Sequence, residues 1–231
     1  MIGVTENLTS INDLLAIAAV EAGRPPDTVA LLAVSKKQPL SKIIDAANAG
    51  QRDFGENFVQ EGLEKINQTR GLDLIWHFIG HLQSNKTRVV AENFDWVHTV
   101  DTLKTAIRLN KQRPPSLPPL NICLQVNVDN EDRKSGCTIA GLPELATACS
   151  DLANLRLRGL MCLPAARAEF SDQREPFATL CNLANELRSD GIDMDTLSMG
   201  MSGDYRAAIF EGATMVRIGT ALFGNRNQES K

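Results

Sequence analysis

Thr28-Val29-Ala30-Leu31-Leu32-Ala33-Val34, followed directly by Ser35-Lys36-Lys37, decides the architecture of this 231-residue chain. After Thr28 the run is wholly apolar, the pattern of a strand buried on both faces rather than one with a wet side. Such strands belong to parallel sheets, and parallel neighbours are joined by crossovers, usually helices. The flanking segments supply those helices. Leu8, Ile11, Leu14, Leu15, Ala18 and Ala19 recur at helical spacing within 8–22, and Gly23 with Pro25-Pro26 stops that helix. Pro39 opens a helix that Ile43, Ile44 and Ala47 carry to Gly50. The alternation continues with a very short strand at Phe54-Gly55, a helix over 58–66, a strand over 74–79, a helix over 87–92, a strand over 95–100 and a helix over 103–109. Then come strands over 120–128, 157–163, 196–199 and 215–218, with helices over 142–152, 177–187 and 205–211 between them.

That makes eight βα repeats, or seven if Phe54-Gly55 is no strand. Repeats in that number predict an α/β chain closed into a (β/α)8 TIM barrel, here with an extra N-terminal helix, rather than an open sheet. Pro114-Pro115-Ser116-Leu117-Pro118-Pro119 is the strongest linker signal. It reads either as a boundary between two domains or as a stiff connection between a helix and the next strand.

Composition narrows the function. Hydrophobic residues are 43% and charged residues 23%, which suits a globular chain able to bury a core without disulfides or metals. With 24 Lys+Arg against 28 Asp+Glu the net charge is -4, which argues against nucleic-acid binding, where phosphate contacts need clustered cations. No apolar run approaches the ~20 residues that cross a bilayer, so no membrane partner is expected. Met1-Ile2-Gly3-Val4-Thr5-Glu6 lacks the basic start and apolar core of a signal peptide. Five scattered cysteines without a CxxC pair read as reduced thiols, and the expected location is cytoplasmic. There is no HExxH and no Cys/His cluster at ligand spacing, so no metal is expected. His77 and His81 would share a face on a helix, but Ile75-Trp76-His77-Phe78-Ile79 is strand-like.

In a parallel barrel, functional residues sit on the loops after the carboxyl ends of the strands. Lys36 follows the first strand, Gly55-Glu56-Asn57 the second and Gly80-His81 the third. Asp101 and Asn127 follow the fourth and fifth, Ser198-Met199-Gly200-Met201-Ser202-Gly203 the seventh and Gly219-Thr220 the eighth. Any one of these serves equally well as a turn or a helix cap. Together they cluster at one end. The two glycine-rich segments combine hydroxyl donors with backbone that a ligand can approach, and loops after strands seven and eight are a recurrent phosphate cradle. Neither segment matches a nucleotide-binding loop. A phosphate cradle across a barrel mouth from a strand-end lysine suggests pyridoxal 5′-phosphate (PLP), whose aldehyde condenses with a lysine amine.

Longer motifs carry a resemblance. Ala33-Val34-Ser35-Lys36, the stretch from Phe54 to Glu61, and Trp76-His77-Phe78-Ile79-Gly80-His81-Leu82-Gln83-Ser84-Asn85-Lys86 resemble the pyridoxal phosphate homeostasis protein family. Lys134-Ser135-Gly136, Gly159-Leu160-Met161, the stretch from Leu197 to Asp204 and that from Val216 to Gly224 extend the likeness over essentially the whole chain. The resemblance implies one domain over residues 1–231, a barrel like the N-terminal domain of alanine racemase, with PLP held as a Schiff base on Lys36. It implies that Ser198, Ser202, Gly219 and Thr220 hold the phosphate, that Arg217 faces the pyridine nitrogen, and that Asn57, His81 and Met199 line the cofactor. The implied function is non-enzymatic: a monomer that keeps PLP bound and releases it to PLP-dependent apo-enzymes, affecting vitamin B6 and amino-acid pools. The alternative is a PLP-dependent racemase or decarboxylase. Alanine-racemase-like enzymes complete their site with a second domain that supplies a tyrosine base. This chain reaches Lys231 shortly after its eighth strand and has Tyr205 as its sole tyrosine, so the carrier is the expectation.

Overall fold

The structure, a computed structural model, describes residues 3–131 and 134–224. Eight strands close into a barrel in chain order: β1 (Ala30–Val34), β2 (Asp53–Glu56), β3 (Ile75–Phe78), β4 (Trp96–Val100), β5 (Leu120–Gln125), β6 (Leu155–Met161), β7 (Thr196–Met201) and β8 (Met215–Ile218). All pairings are parallel, and Leu31 of β1 stands opposite Val216 of β8 to complete the ring. The brief second strand is real, and the expected (β/α)8 barrel is what forms. The extra N-terminal helix, α1 (Val4–Glu21), precedes the barrel. The crossovers are α2 (Leu40–Asn48), α3 (Val59–Gln68), α4 (Thr87–Asn93), α5 (Leu103–Gln112), α6 (Leu142–Ser150), α7 (Phe170–Ser189) and α8 (Tyr205–Phe210), with α9 (Thr220–Phe223) after β8.

Side chains alternate across each strand, so every strand feeds two compartments. Leu31, Phe54, Phe78, Val97, Leu124 and Val216 point outward into the main hydrophobic core beneath the helices. Inward-facing apolar residues form two small clusters, Leu32, Ile79 and Met215 with Val34, and Trp96, Cys123 and Met161. The lower end of the barrel is occupied by Trp96 with the Arg158 guanidinium 4.6 Å from its ring centre, itself bonded to Asp195. Because α8 and α9 are short, α1 packs against both and against α2 to finish the outer layer. Its buried Leu8, Ile11, Leu15, Ala18 and Ala19 make that seam, and Asn7 Nδ2 donates to the Leu222 carbonyl at 2.9 Å.

Several boundaries differ from the sequence reading. The proline-rich segment 114–119 joins α5 to β5 within the barrel, where the buried Arg113 donates to the carbonyls of Pro118, Ala91 and Phe94. The helix read from Phe177 begins at Phe170 and passes through Pro176. Strand β5 stops at Gln125, after which Val126 makes an isolated bridge to Cys137. All five cysteines are free, and burial pushes the Cys123 and Cys162 thiols up to about 12. Among the described residues no helix is long and apolar enough to cross a membrane.

Candidate functional site

At the carboxyl ends of the strands lies a pocket of about 410 Å³. Val34, Ile79 and Met161 form its apolar walls and Arg217 its floor, while Lys36, Asn57, Ser202, Gly203, Gly219 and Thr220 stand around the rim. Lys36, the second residue past the end of β1, is half-buried. Lys37 is turned away: it lines a separate outer groove with Gln38, Glu61 and Glu64. Ser202 and Gly203 sit at the tip of a tight turn between β7 and α8. Asp204 closes that turn, its carboxylate accepting from the Met201 N–H at 2.6 Å and its own N–H donating to the Met201 carbonyl at 3.1 Å.

Six of the nine expected site residues therefore share one pocket: Lys36, Asn57, Ser202, Arg217, Gly219 and Thr220. Three do not, and strand parity explains two of them. Met199 points outward into the helix-packed core and is fully buried there. Ser198 points inward but lies beneath Arg217, fully buried, with its hydroxyl occupied by other protein groups. His81 is exposed on a neighbouring groove with Phe58, Gln83 and Lys86, reached over Asn57.

Ser198 instead belongs to a polar chain through the barrel interior. Arg217 Nη1 donates to Ser198 Oγ at 2.9 Å, and Ser198 Oγ lies 2.8 Å from His98 Nδ1. His98 Nε2 is 2.9 Å from His77 Nδ1, and His77 Nε2 is 2.9 Å from Asp53 Oδ1. A guanidinium only donates and a carboxylate only accepts, so Arg217 is the donor at the mouth end of the chain and Asp53 the acceptor at the other. Arg217 is further tied by Nη2 to the Cys162 carbonyl at 2.8 Å. None of Asp53, His77 and His98 was read as part of this chain. The available signal was inward parity, which places 77, 98, 198 and 217 on the same face of their strands.

Burial, reinforced by His77 and Arg217 nearby, holds His98 well below the usual histidine range. The unfolded chain, with an ordinary value near 6.5, therefore takes up a proton that the folded chain refuses. Stability from this group is complete above about pH 6.5 and declines as the pH falls below it, by up to about 1.4 kcal/mol per pH unit. Urea unfolding at pH 7.5 and 5.5 should show a smaller loss for His98→Gln than for the wild type. Equal losses would count against a neutral His98.

A sequence model of the family described as alanine racemase, N-terminal domain, matches residues 17–227. The pyridoxal phosphate homeostasis protein of Pseudomonas aeruginosa is 55% identical over 224 residues, covering 97% of this chain and 96% of the relative. The chain belongs to the pyridoxal phosphate homeostasis protein family. The family member of Escherichia coli K12 is 51% identical over 231 residues, 99% of each chain. Among solved structures, PipY of Synechococcus elongatus with PLP bound superposes with a TM-score of 0.82 at 37% identity, covering 96% of this chain and all of PipY.

Proposed function

We propose that this chain binds PLP in the mouth pocket and keeps it in reserve for PLP-dependent apo-enzymes, as a monomeric cytoplasmic protein without turnover of its own. The observation that carries the reading is the meeting of one lysine amine with two hydroxyl donors and glycine backbone around a single pocket. PLP supplies an electrophilic aldehyde and a phosphate dianion. The donor set suits both: Lys36 is the amine for a Schiff base, and Ser202, Thr220 and the Gly203 and Gly219 backbone offer the anion small, approachable donors. Asn57 adds a buried Oδ1 without a hydrogen-bond partner among the described residues, an acceptor available to a bound group. Arg217, held by Ser198 and Cys162, gives the pocket a fixed positive floor and would be the group that faces the pyridine nitrogen. The family's name and the PLP-bound PipY support the same cofactor.

Restraint from catalysis has its own support. Racemisation needs an acid/base group on each face of the substrate carbon. Among the described residues lining the pocket, Lys36 and Arg217 are the titratable ones, and a guanidinium has no proton acceptor to offer. Tyr205, half-buried at the start of α8, is not in that lining.

The test compares PLP with unphosphorylated pyridoxal. Ser202→Ala and Thr220→Val should each weaken PLP by roughly tenfold or more, as losing a charge-assisted bond of about 1.5–3 kcal/mol requires, and leave pyridoxal nearly unchanged. Equal losses for both ligands would remove these residues from the phosphate site. On the same preparations, sustained Lys36-dependent deuterium exchange at the α-carbon of amino acids would overturn the carrier in favour of a racemase or decarboxylase.

A further inference from the structure

Lys36 lies between two pinned residues, Ser35 held from β2 and α3 and Lys37 held from α3. Ser35, fully buried, donates its hydroxyl to Glu56 Oε1 at 2.6 Å, and its carbonyl accepts from Lys65 Nζ at 2.7 Å. On the other side the Lys37 N–H donates to Glu61 Oε1 at 2.5 Å. Lys65 Nζ ties the set together, donating to Glu56 Oε1 at 2.7 Å and to Glu61 Oε1 at 2.6 Å. Gln38 N–H to the Ser35 carbonyl, 3.0 Å, closes the turn itself. Within it Lys37 has φ of +58°, a region that few non-glycine residues enter. A backbone so placed needs support from outside the turn, and Glu61 supplies it.

This is no ordinary surface ion pair. Glu56 is fully buried and Lys65 is 7% exposed. Burial pushes the Glu56 carboxyl up, opposed by Lys65 and by the Ser35 hydroxyl. Its second oxygen has no hydrogen-bond partner among the described residues. As a source of stability such a cluster is a poor choice, because desolvation offsets much of the Coulomb gain. Helix α3 packs closely here: a Cβ at Gly62 would come within 2.6 Å of the Phe94 ring and 3.5 Å of Glu56 Cβ.

We infer that Glu56, Glu61 and Lys65 are positioning residues for Lys36: they lock the turn over 35–38 so that its amine is presented to the mouth pocket. The inference rests on the PLP-binding reading above. In the attachment, the Lys36 nitrogen bonds to the aldehyde carbon and the carbonyl oxygen leaves as water, with no oxidant or reductant involved. Neither anchor touches the pocket, since Glu61 and Lys65 line the outer groove. Their removal should therefore slow attachment while leaving the rest of the pocket intact.

The experiment uses two ligands on the whole chain. Pyridoxine 5′-phosphate carries an alcohol where PLP has its aldehyde, so it reports the pocket without attachment. Borohydride trapping of PLP at short times, with peptide mapping, reports how fast Lys36 reacts. Glu61→Ala should slow trapping at Lys36 at least tenfold, with pyridoxine 5′-phosphate affinity within twofold of wild type. Glu61→Gln keeps an oxygen for the Lys37 N–H and should recover most of the rate. Amide exchange at Lys37 should quicken in the alanine variant alone. Lys65→Met should behave like Glu61→Ala; because it strands a buried carboxylate, the Glu61 pair is the deciding one. Trapping at the wild-type rate in Glu61→Ala overturns the inference, and so does a parallel loss of pyridoxine 5′-phosphate affinity. If wild type itself yields no adduct on Lys36, the PLP-attachment reading falls and takes this inference with it.

Discussion

Borohydride reduction of the PLP-loaded wild type should yield one modified peptide, carrying the cofactor on Lys36, and Lys36→Ala should lose that adduct and at least tenfold in affinity. The expectation is sharp because the neighbouring lysine gives an internal control. Lys36 and Lys37 are adjacent in sequence, yet the turn sends them to different cavities, the first to the mouth pocket and the second to the outer groove beside Glu61 and Glu64. Proximity is worth several orders of magnitude in a condensation between two bound groups. A lysine outside the pocket reacts as any surface amine does. Lys37→Ala should therefore keep both the adduct and the visible absorption of the loaded protein. Recovery of the reduced cofactor on Lys37 would reverse the assignment.

A second large effect should come from a residue with no chemistry at all. Gly159 of β6 pairs with Thr196 of β7, next to the irregular register where β6 passes from Leu157 to Gly159 against β5. A Cβ at 159 would stand 1.7 Å from the Thr196 carbonyl oxygen and 2.6 Å from its carbon. Both are backbone atoms of a paired strand, so no rotamer change can clear the space. Gly159→Ala should cost at least about 3 kcal/mol, the upper range for overpacking, and lower Tm by roughly 6–12 °C for a chain of this size. Thermal unfolding followed by circular dichroism measures it. A drop of less than 2 °C would mean that β6 and β7 can separate far more easily than the barrel suggests.

Much of this molecule can be read from its residues in order, and the misses share a cause. Most of the strands were legible as short, largely apolar runs set between helical periodicities, whereas Phe54-Gly55 was marked mainly by its place in the alternation. The strand-end rule then brought Lys36, Ser202, Gly219 and Thr220 to one mouth. Ser198 and Met199, both expected at the cofactor, are adjacent on β7 and so face opposite compartments, Met199 the helix-packed core and Ser198 the barrel interior beneath Arg217. The four-residue α9 was missed because a single turn carries no period to detect. The Ser35–Glu56–Lys65 contacts and the interior polar chain join residues tens of positions apart, with nothing local to mark them. A charged residue on an amphipathic helix such as Lys65 reads as solvated surface until the packing buries it.

The interior chain also bears on how the barrel comes apart. Its members belong to β2, β3, β4, β7 and β8, so no contiguous half of the sequence holds a complete set of partners. A molecule unzipped at any one seam among these strands would leave a donor or an acceptor facing apolar walls, at about 1–3 kcal/mol for each orphaned group. Half-closed rings are thus penalised beyond their lost strand pairing, and the penalty grows with every member exposed. Opening at the mouth is coupled in this way to opening at the far end. The amides flanking Asp53 should exchange with solvent in the same cooperative event as those flanking Arg217, although the two residues stand at opposite ends of the relay.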